Sequence, residues 1–124
     1  MPLSKTHIAL SVGDTGQSAA FYEALLGGPP LRRSAGLAVF ELESPPLLLT
    51  VEDRPLRRSK PRPPVSFVLA VAEPQHVGDA AIRLRRAGFR LRVEDRGIEA
   101  QDPDGNAWRV SFVSSAHGPA VMPP

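Results

Sequence analysis

The chain contains no cysteine among its 124 residues. It therefore forms no disulfide, and it offers neither a thiolate zinc site nor a cysteine nucleophile. No apolar run reaches the roughly 18 residues that a membrane span needs, and the N-terminus lacks the charged-then-apolar layout of a secretion signal. These absences predict a cytoplasmic protein that has no contact with a membrane.

Positive charge exceeds negative charge by only two units, and it is concentrated in one segment. Residues 52–64, EDRPLRRSKPRPP, hold five Lys/Arg and two acids, whereas the rest of the chain sums to −1. A face that binds nucleic acid would also need stacking aromatics or a helix that reads a groove. The segment is typical of a solvated linker, so nucleic acid is not the expected partner.

The remaining sequence repeats one order of elements. In the first half, THIALSV (6–12) alternates as a strand does, and a helix follows that Asp14 can cap and Gly27 can end. In the second half, VSFVLAV (65–71) is the strand, and Pro74 opens the helix. Three strand-like runs complete each half: 31–34, 36–43 and 47–51, then 89–95, 97–101 and 107–113. This order predicts an α+β fold of two βαβββ modules.

We predict a single domain over residues 1–113. It comprises module one at 5–51, a basic Pro-rich linker at 52–64 and module two at 65–113, followed by a disordered tail at 114–124. A domain of this size would gain stability from forming a dimer. Arginine outnumbers lysine by 13 to 2, which hints at a GC-rich bacterial source.

Two stretches carry a resemblance to a known family. HIALSV followed by FYEALLG opens the first half, and DPDGNAWRV closes the second. With this layout the chain resembles the vicinal oxygen chelate superfamily, which contains glyoxalases, bleomycin-resistance proteins and dioxygenases. FELESPPLLLTV is similar, more narrowly, to the branch of cadmium-inducible proteins and organoarsenical lyases. The resemblance covers about residues 5 to 113. It implies curved mixed sheets that enclose a cavity, small-molecule ligands and a homodimer.

Strand alternation separates a bulky face from a small one. In the first strand, Ile8, Leu10 and Val12 share one side, and the other side carries His7, Ala9 and Ser11. The strands at 65–71 and 107–113 show the same division. The bulky face should pack under the helices, and the small face leaves room for a ligand. A sheet face open to water is the alternative, although such a face would favour Lys, Glu and Thr.

The resemblance implies a divalent metal held by side chains on the first, fifth and eighth strands. His7 matches the first position, whereas Ser66 stands where a second His is expected and Arg109 stands where a Glu is expected. Serine is a poor ligand and arginine cannot ligate a metal at all. His76 and His117 are predicted to be surface residues that do not replace the missing ligands. We therefore predict no metal, with one divalent ion at His7 and a carboxylate such as Glu41 as the alternative.

An arginine fork in a partly apolar cavity binds planar anions well. The predicted ligand-binding residues are His7, Ser11, Glu41, Ser66, Arg109 and Ser111. For Arg109 the alternative is an ion pair with Glu41 or Glu99, and for His7 it is a satisfied rim histidine. The leading function is a metal-free protein that binds or sequesters a neutral or anionic small molecule. A divergent metal-dependent lyase, isomerase or dioxygenase comes second, and a non-catalytic regulator that acts through the basic linker comes third.

Other motifs give weaker evidence of a function. DPDGN has acids at calcium-like spacing but lacks the remaining ligands of an EF-hand, so it is interpreted as a turn. A hydrolytic triad of Ser66, His7 and an acid has no nucleophile elbow to support it. Phe21 and Tyr22 on the first helix are predicted to pack rather than to act in catalysis.

Overall fold

A computed structural model of the protein describes residues 5–54 and 63–113. The elements in chain order are β1 (Thr6–Val12), α1 (Thr15–Leu26), β2 (Arg32–Ser34), β3 (Leu37–Glu43), β4 (Pro46–Asp53), β5 (Ser66–Val71), α2 (Pro74–Arg86), β6 (Leu91–Glu94), β7 (Gly97–Gln101) and β8 (Ala107–Phe112). The predicted α+β order of two βαβββ modules is confirmed. Because β4 runs to Asp53, the predicted boundary of module one at residue 51 was two residues short. Residues 55–62 of the predicted linker and the predicted tail at 114–124 lie outside the described residues.

Each module forms one four-stranded mixed sheet with the same topology. The strand orders are β1-β4-β3-β2 and β5-β8-β7-β6, with a parallel pair at one edge and antiparallel pairs elsewhere. In both parallel pairs residue i faces residue i+41, since His7 pairs with Leu48 and Ser66 pairs with Ala107. A shift of 59 positions therefore carries His7 onto Ser66 and Thr50 onto Arg109. The internal repeat is thus a repeat of hydrogen-bond register as well as of element order.

Local signals at the ends of α1 explain where it begins and ends. The side chain of Asp14 accepts a hydrogen bond from the backbone N–H of Gln17 at 3.0 Å, and Gly27 adopts the left-handed conformation with φ at 91°. Seven of the 12 residues of α1 are buried, including Phe21 and Tyr22. This helix packs on β3 and β4 of its own sheet and also on α2. It is buried on more than one side because it lies between the modules.

The second helix is a one-sided surface helix. Pro74 occupies its first turn, as predicted, and its buried residues are Ala80, Ala81 and Leu84. Arg83 reaches across to α1, where its guanidinium donates to the carbonyl oxygens of Ala24 at 2.8 Å and Leu25 at 3.1 Å. These carbonyls belong to the last turn of α1 and lack helical partners, so Arg83 closes that end of the helix.

One hydrophobic core spans both modules. Its largest fully buried side chains are Trp108, Tyr22, Phe21 and Phe40. The ring of Trp108 stacks on Phe67 at a centroid distance of 4.4 Å and meets Tyr22 edge-on at 5.5 Å. The predicted packing role of Phe21 and Tyr22 is confirmed. Within the described residues, neither helix is long and apolar enough to cross a membrane.

Candidate functional site

Each sheet keeps one face away from the helices, and the predicted ligand-binding residues lie on these faces. In β1, His7, Ala9 and Ser11 are exposed, whereas Val12 on the opposite side is buried. In β8, Arg109 is exposed between the buried Trp108 and Val110. The predicted division into a packed face and an open face is confirmed. The open faces carry small residues together with charged ones, and Val68 on β5 stays 58 % exposed.

His7 is already engaged by a neighbour on the next strand. Its Nε2 atom lies 2.9 Å from the hydroxyl oxygen of Thr50 on β4. The 59-residue shift makes this pair the counterpart of Ser66 and Arg109 in module two. Thr50 was not among the predicted site residues, although it is the repeat-related counterpart of Arg109.

Glu41 does not join His7. In the strand register Glu41 faces Leu48, which in turn faces His7, so a whole strand separates the two. The ammonium group of Lys5 lies 2.8 Å from Glu41 and 2.8 Å from Glu43. Hydrogen bonds to these two carboxylates raise the pKa of Lys5 above its usual value. Glu41 therefore belongs to a cluster that Lys5 neutralises in part.

Arg109 is the centre of a charge network on the open face of module two. Its Nε atom lies 2.7 Å from Glu94 Oε1, and its Nη2 atom lies 3.7 Å from Glu99 Oε2. Arg92 pairs with the same two carboxylates. The predicted alternative of an ion pair is thus realised with Glu99 and, at shorter range, with Glu94. Two arginines face two glutamates, so this network has no net charge.

The three serines predicted to bind the ligand occupy different surroundings. Ser66 is exposed on β5 and lies on the face that carries Arg109. Ser111 is half-buried and pairs in register with Ala70 and Gly97. Ser11 lies on the other sheet, opposite Glu52. The structure therefore brings Ser66, Ser111 and Arg109 together on one sheet, and His7, Ser11 and Glu41 on the other.

A groove separates the free edges of the two sheets. Its volume is about 510 Å³, and its walls come from β1 and β5. Ile8, Leu10 and Phe67 supply apolar surface, and Ser11 is the predicted site residue among its wall residues. Arg54 and Asp104 stand in the polar part of the wall, with 3.8 Å between Arg54 Nη1 and Asp104 Oδ1. A groove of this volume falls in the roughly 300–1,000 Å³ range of small-molecule sites.

The donor set on these faces does not fit a divalent metal. A tight site for zinc, nickel or iron needs three or more His, Cys or carboxylate ligands that converge. Within residues 5–54 and 63–113, no three such side chains come together. Of the repeat-related positions, His7 forms a hydrogen bond with Thr50. In module two, Ser66 is a poor ligand, and Arg109 is held by Glu94 and Glu99. The guanidinium of Arg109 would also repel a cation.

The DPDGN turn has a larger role than its sequence indicates. Asp102 is buried, and its carboxylate accepts hydrogen bonds from the Tyr22 hydroxyl, the Asn106 amide and two backbone N–H groups of the turn. The indole N–H of Trp108 donates to the Tyr22 oxygen at 2.9 Å. The pKa of Tyr22 is raised far above its ordinary value, mainly by burial and secondly by the hydrogen bond to Asp102. The turn thus joins module two to α1 of module one.

This fold defines a class of proteins in which two βαβββ units are joined in one chain. The chain matches the glyoxalase/bleomycin resistance protein/dioxygenase superfamily over residues 6–110 and belongs to that family. No curated protein matches the chain. The resemblance predicted from the sequence is confirmed at the level of the superfamily.

Several solved structures share the fold. A glyoxalase/bleomycin resistance protein from Catenulispora acidiphila DSM 44928 is 24 % identical, with a TM-score of 0.65 over 88 % of this chain and 97 % of that one. A lactoylglutathione lyase from Agrobacterium tumefaciens is 19 % identical, with a TM-score of 0.66 over 90 % and 94 %. The oxidase ChaP-H2 is 16 % identical, with a TM-score of 0.70 over 91 % and 95 %. At these identities the likeness establishes the fold alone.

Proposed function

We propose that the chain is a metal-free protein that binds or sequesters a small neutral or anionic molecule, in the manner of the bleomycin-resistance proteins of its superfamily. One observation carries the proposal: Arg109 lies between Glu94 and Glu99 at a position where the resemblance implies a metal ligand. A guanidinium held in this way supplies hydrogen-bond donors and fixed charge, but no metal chemistry. Binding then depends on shape and on a few polar contacts.

The ligand would occupy the groove between β1 and β5 and extend onto the open faces. The groove combines apolar wall residues such as Phe67 with Ser11 and Arg54. The charge balance around Arg109 favours a neutral ligand, because an anion would have to compete with two carboxylates for the guanidinium. Arg54 is the better partner for an anion, since its guanidinium stands 3.8 Å from its own carboxylate partner, Asp104.

A screen of ligand-induced stabilisation tests the proposal. A ligand present at 100 times its Kd stabilises the fold by about 2.7 kcal/mol, which a thermal melt detects. We expect at least one neutral or anionic class to raise Tm equally with and without EDTA. Ser11→Leu should remove the shift by filling the groove, whereas Ser34→Leu, on an exposed strand outside the groove wall, should retain it. Failure of every class to raise Tm would remove the basis of the proposal.

A metal-dependent lyase, isomerase or dioxygenase is the competing function. It would require a ligand set that the described residues do not form, and Glu41 is already paired with Lys5. Turnover that EDTA abolishes and one added divalent metal restores would establish this alternative. A regulatory role for the basic segment rests on residues 55–62, which lie outside the described part of the chain. The homodimer, the cytoplasmic location and the bacterial source stay predictions.

A further inference from the structure

A second cavity lies on the helix side of the sheets, away from the open faces. It is a cleft of about 260 Å³ at the junction of the two modules, and we call it the junction cleft. Leu25 at the end of α1 and Leu42 near the end of β3 line it from module one. Leu69 and Val110 line it from module two, and both are buried to more than nine-tenths. The junction cleft therefore reaches down to the apolar core.

Three polar side chains of α2 stand along this cleft. His76, Asp79 and Arg83 are spaced by three and four residues, which places them on one side of the helix. His76 was predicted to be a surface residue. It is exposed, but it also lines the cleft.

Asp79 and Arg83 on this side of α2 do not form an ion pair with each other. Within residues 5–54 and 63–113, Asp79 forms no ion pair. The guanidinium of Arg83 is oriented by its Nε and Nη2 bonds to the carbonyls of Ala24 and Leu25. Its Nη1 group takes no part in these two bonds. One negative and one positive group thus face the same small cavity, one helical turn apart.

We propose that the junction cleft binds a free apolar α-amino acid. The ligand's ammonium group would pair with Asp79 and its carboxylate with Arg83, while its side chain would enter the apolar floor. A simple anion is opposed by Asp79 and a simple cation by Arg83, whereas a zwitterion matches both. The volume is below the roughly 300–1,000 Å³ of sites for drug-sized ligands, which favours a molecule of this size.

The experiment titrates the full chain with L-leucine and with two analogues that each lack one charge, 4-methylpentanoate and 3-methylbutylamine. Calorimetry gives the affinity, and amide NMR gives the location. L-Leucine should perturb the amides of residues 25–27, 42–44 and 69–71, and each analogue should bind at least fivefold more weakly. Equal affinity of either analogue, absence of binding by L-leucine, or perturbations elsewhere would overturn the proposal.

Two variants with the same change of charge separate recognition from general electrostatics. Asp79→Asn should weaken L-leucine binding at least fivefold. Asp95→Asn, in the exposed turn between β6 and β7, should leave it unchanged. Equal weakening by both variants, or by neither, would contradict the assignment of Asp79. Because the cleft shares no wall residue with the β1–β5 groove, loss of one function leaves the other intact.

Discussion

The hydroxyl of Tyr22 on α1 donates a hydrogen bond to the carboxylate of Asp102, which follows β7 and lies 80 residues further along the chain. Tyr22→Phe removes this donor and also the acceptor for the indole N–H of Trp108. Leaving buried polar groups without partners costs about 1–3 kcal/mol. We expect thermal unfolding of the variant to show a lower Tm, by roughly 4–8 °C for each kcal/mol lost in a domain near 100 residues.

A double-mutant cycle checks that this loss belongs to the pair. Tyr22→Phe and Asp102→Asn should each destabilise the protein, and the double variant should lose less than the sum of the two. Residues in direct contact usually show a coupling of about 0.5–3 kcal/mol. Strict additivity would mean that the hydrogen bond between modules does not contribute as described.

The same tyrosine should make the fold sensitive to alkali. Burial and the hydrogen bond to Asp102 raise the pKa of Tyr22 above its ordinary 10.0 in the folded protein, so the unfolded chain releases this proton first. The stabilisation is fully present below pH 10 and decreases as the pH rises further. Tyr22 is the single tyrosine of the chain, so tyrosinate absorbance reports it alone. We expect that signal to appear together with unfolding, and ionisation near pH 10 with intact circular dichroism would contradict the expectation.

Two glycines provide a matched pair of alanine substitutions. A Cβ at Gly97 would lie 1.9 Å from the carbonyl oxygen of Val110 on β8, whereas a Cβ at Gly78 in α2 would meet nothing within 4 Å. Gly97→Ala should therefore lower the free energy of unfolding by more than about 2 kcal/mol, because the strands must separate. Gly78→Ala should raise it by about 0.4–1 kcal/mol. Denaturant titrations measure both free energies of unfolding. A similar effect at the two positions would show that β7 and β8 do not approach each other closely at Gly97.

The metal prediction can be reversed by substitution. Ser66→His combined with Arg109→Glu introduces two ligand-type side chains on one sheet face and removes the repelling charge. It also releases Glu94 and Glu99, which now hold Arg109, as further carboxylate ligands. We expect elemental analysis to find less than about a tenth of an equivalent of zinc or nickel in the wild type, and clearly more in the double variant. Ser34→His with Arg33→Glu, on the short strand β2, is the control for nonspecific uptake. A full equivalent in the wild type would contradict the metal-free prediction and make the metalloenzyme alternative the leading one.

The sequence was sufficient for the elements and for the orientation of side chains within strands. Alternation in β1 separated His7 from Val12 correctly, because a strand with one buried face must keep its apolar residues in register. The end of β4 was predicted less well. Glu52 and Asp53 are charged and precede prolines, yet backbone pairing with β1 extends the strand through both of them.

The partners of the site residues could not be predicted in the same way. Glu94 reaches Arg109 from β6, which does not pair with β8, so the contact depends on side-chain length and sheet twist. Asp102 meets Tyr22 only because α1 lies between the modules. Local sequence patterns determine neither the twist of the sheet nor the position of α1 between the modules. The His7–Thr50 pair could have been predicted from the repeat. A shift of 59 positions relates His7 to Ser66 and Thr50 to Arg109, so the two pairs occupy equivalent places in the two sheets.

The burial of α1 on more than one side makes the two halves of this chain mutually dependent. Phe21 packs edge-on against Phe89 of the other half at a centroid distance of 5.1 Å, in addition to the contact between Tyr22 and Trp108. A cut through the backbone between Arg54 and Pro63 would leave each fragment with a broad apolar surface open to water. Neither half would be an autonomous folding unit, but the two together retain every contact across the junction. The protein is thus suited to being split into two fragments that fold only when they are brought together. Recovery of the fold would then report that the two fragments are close to each other.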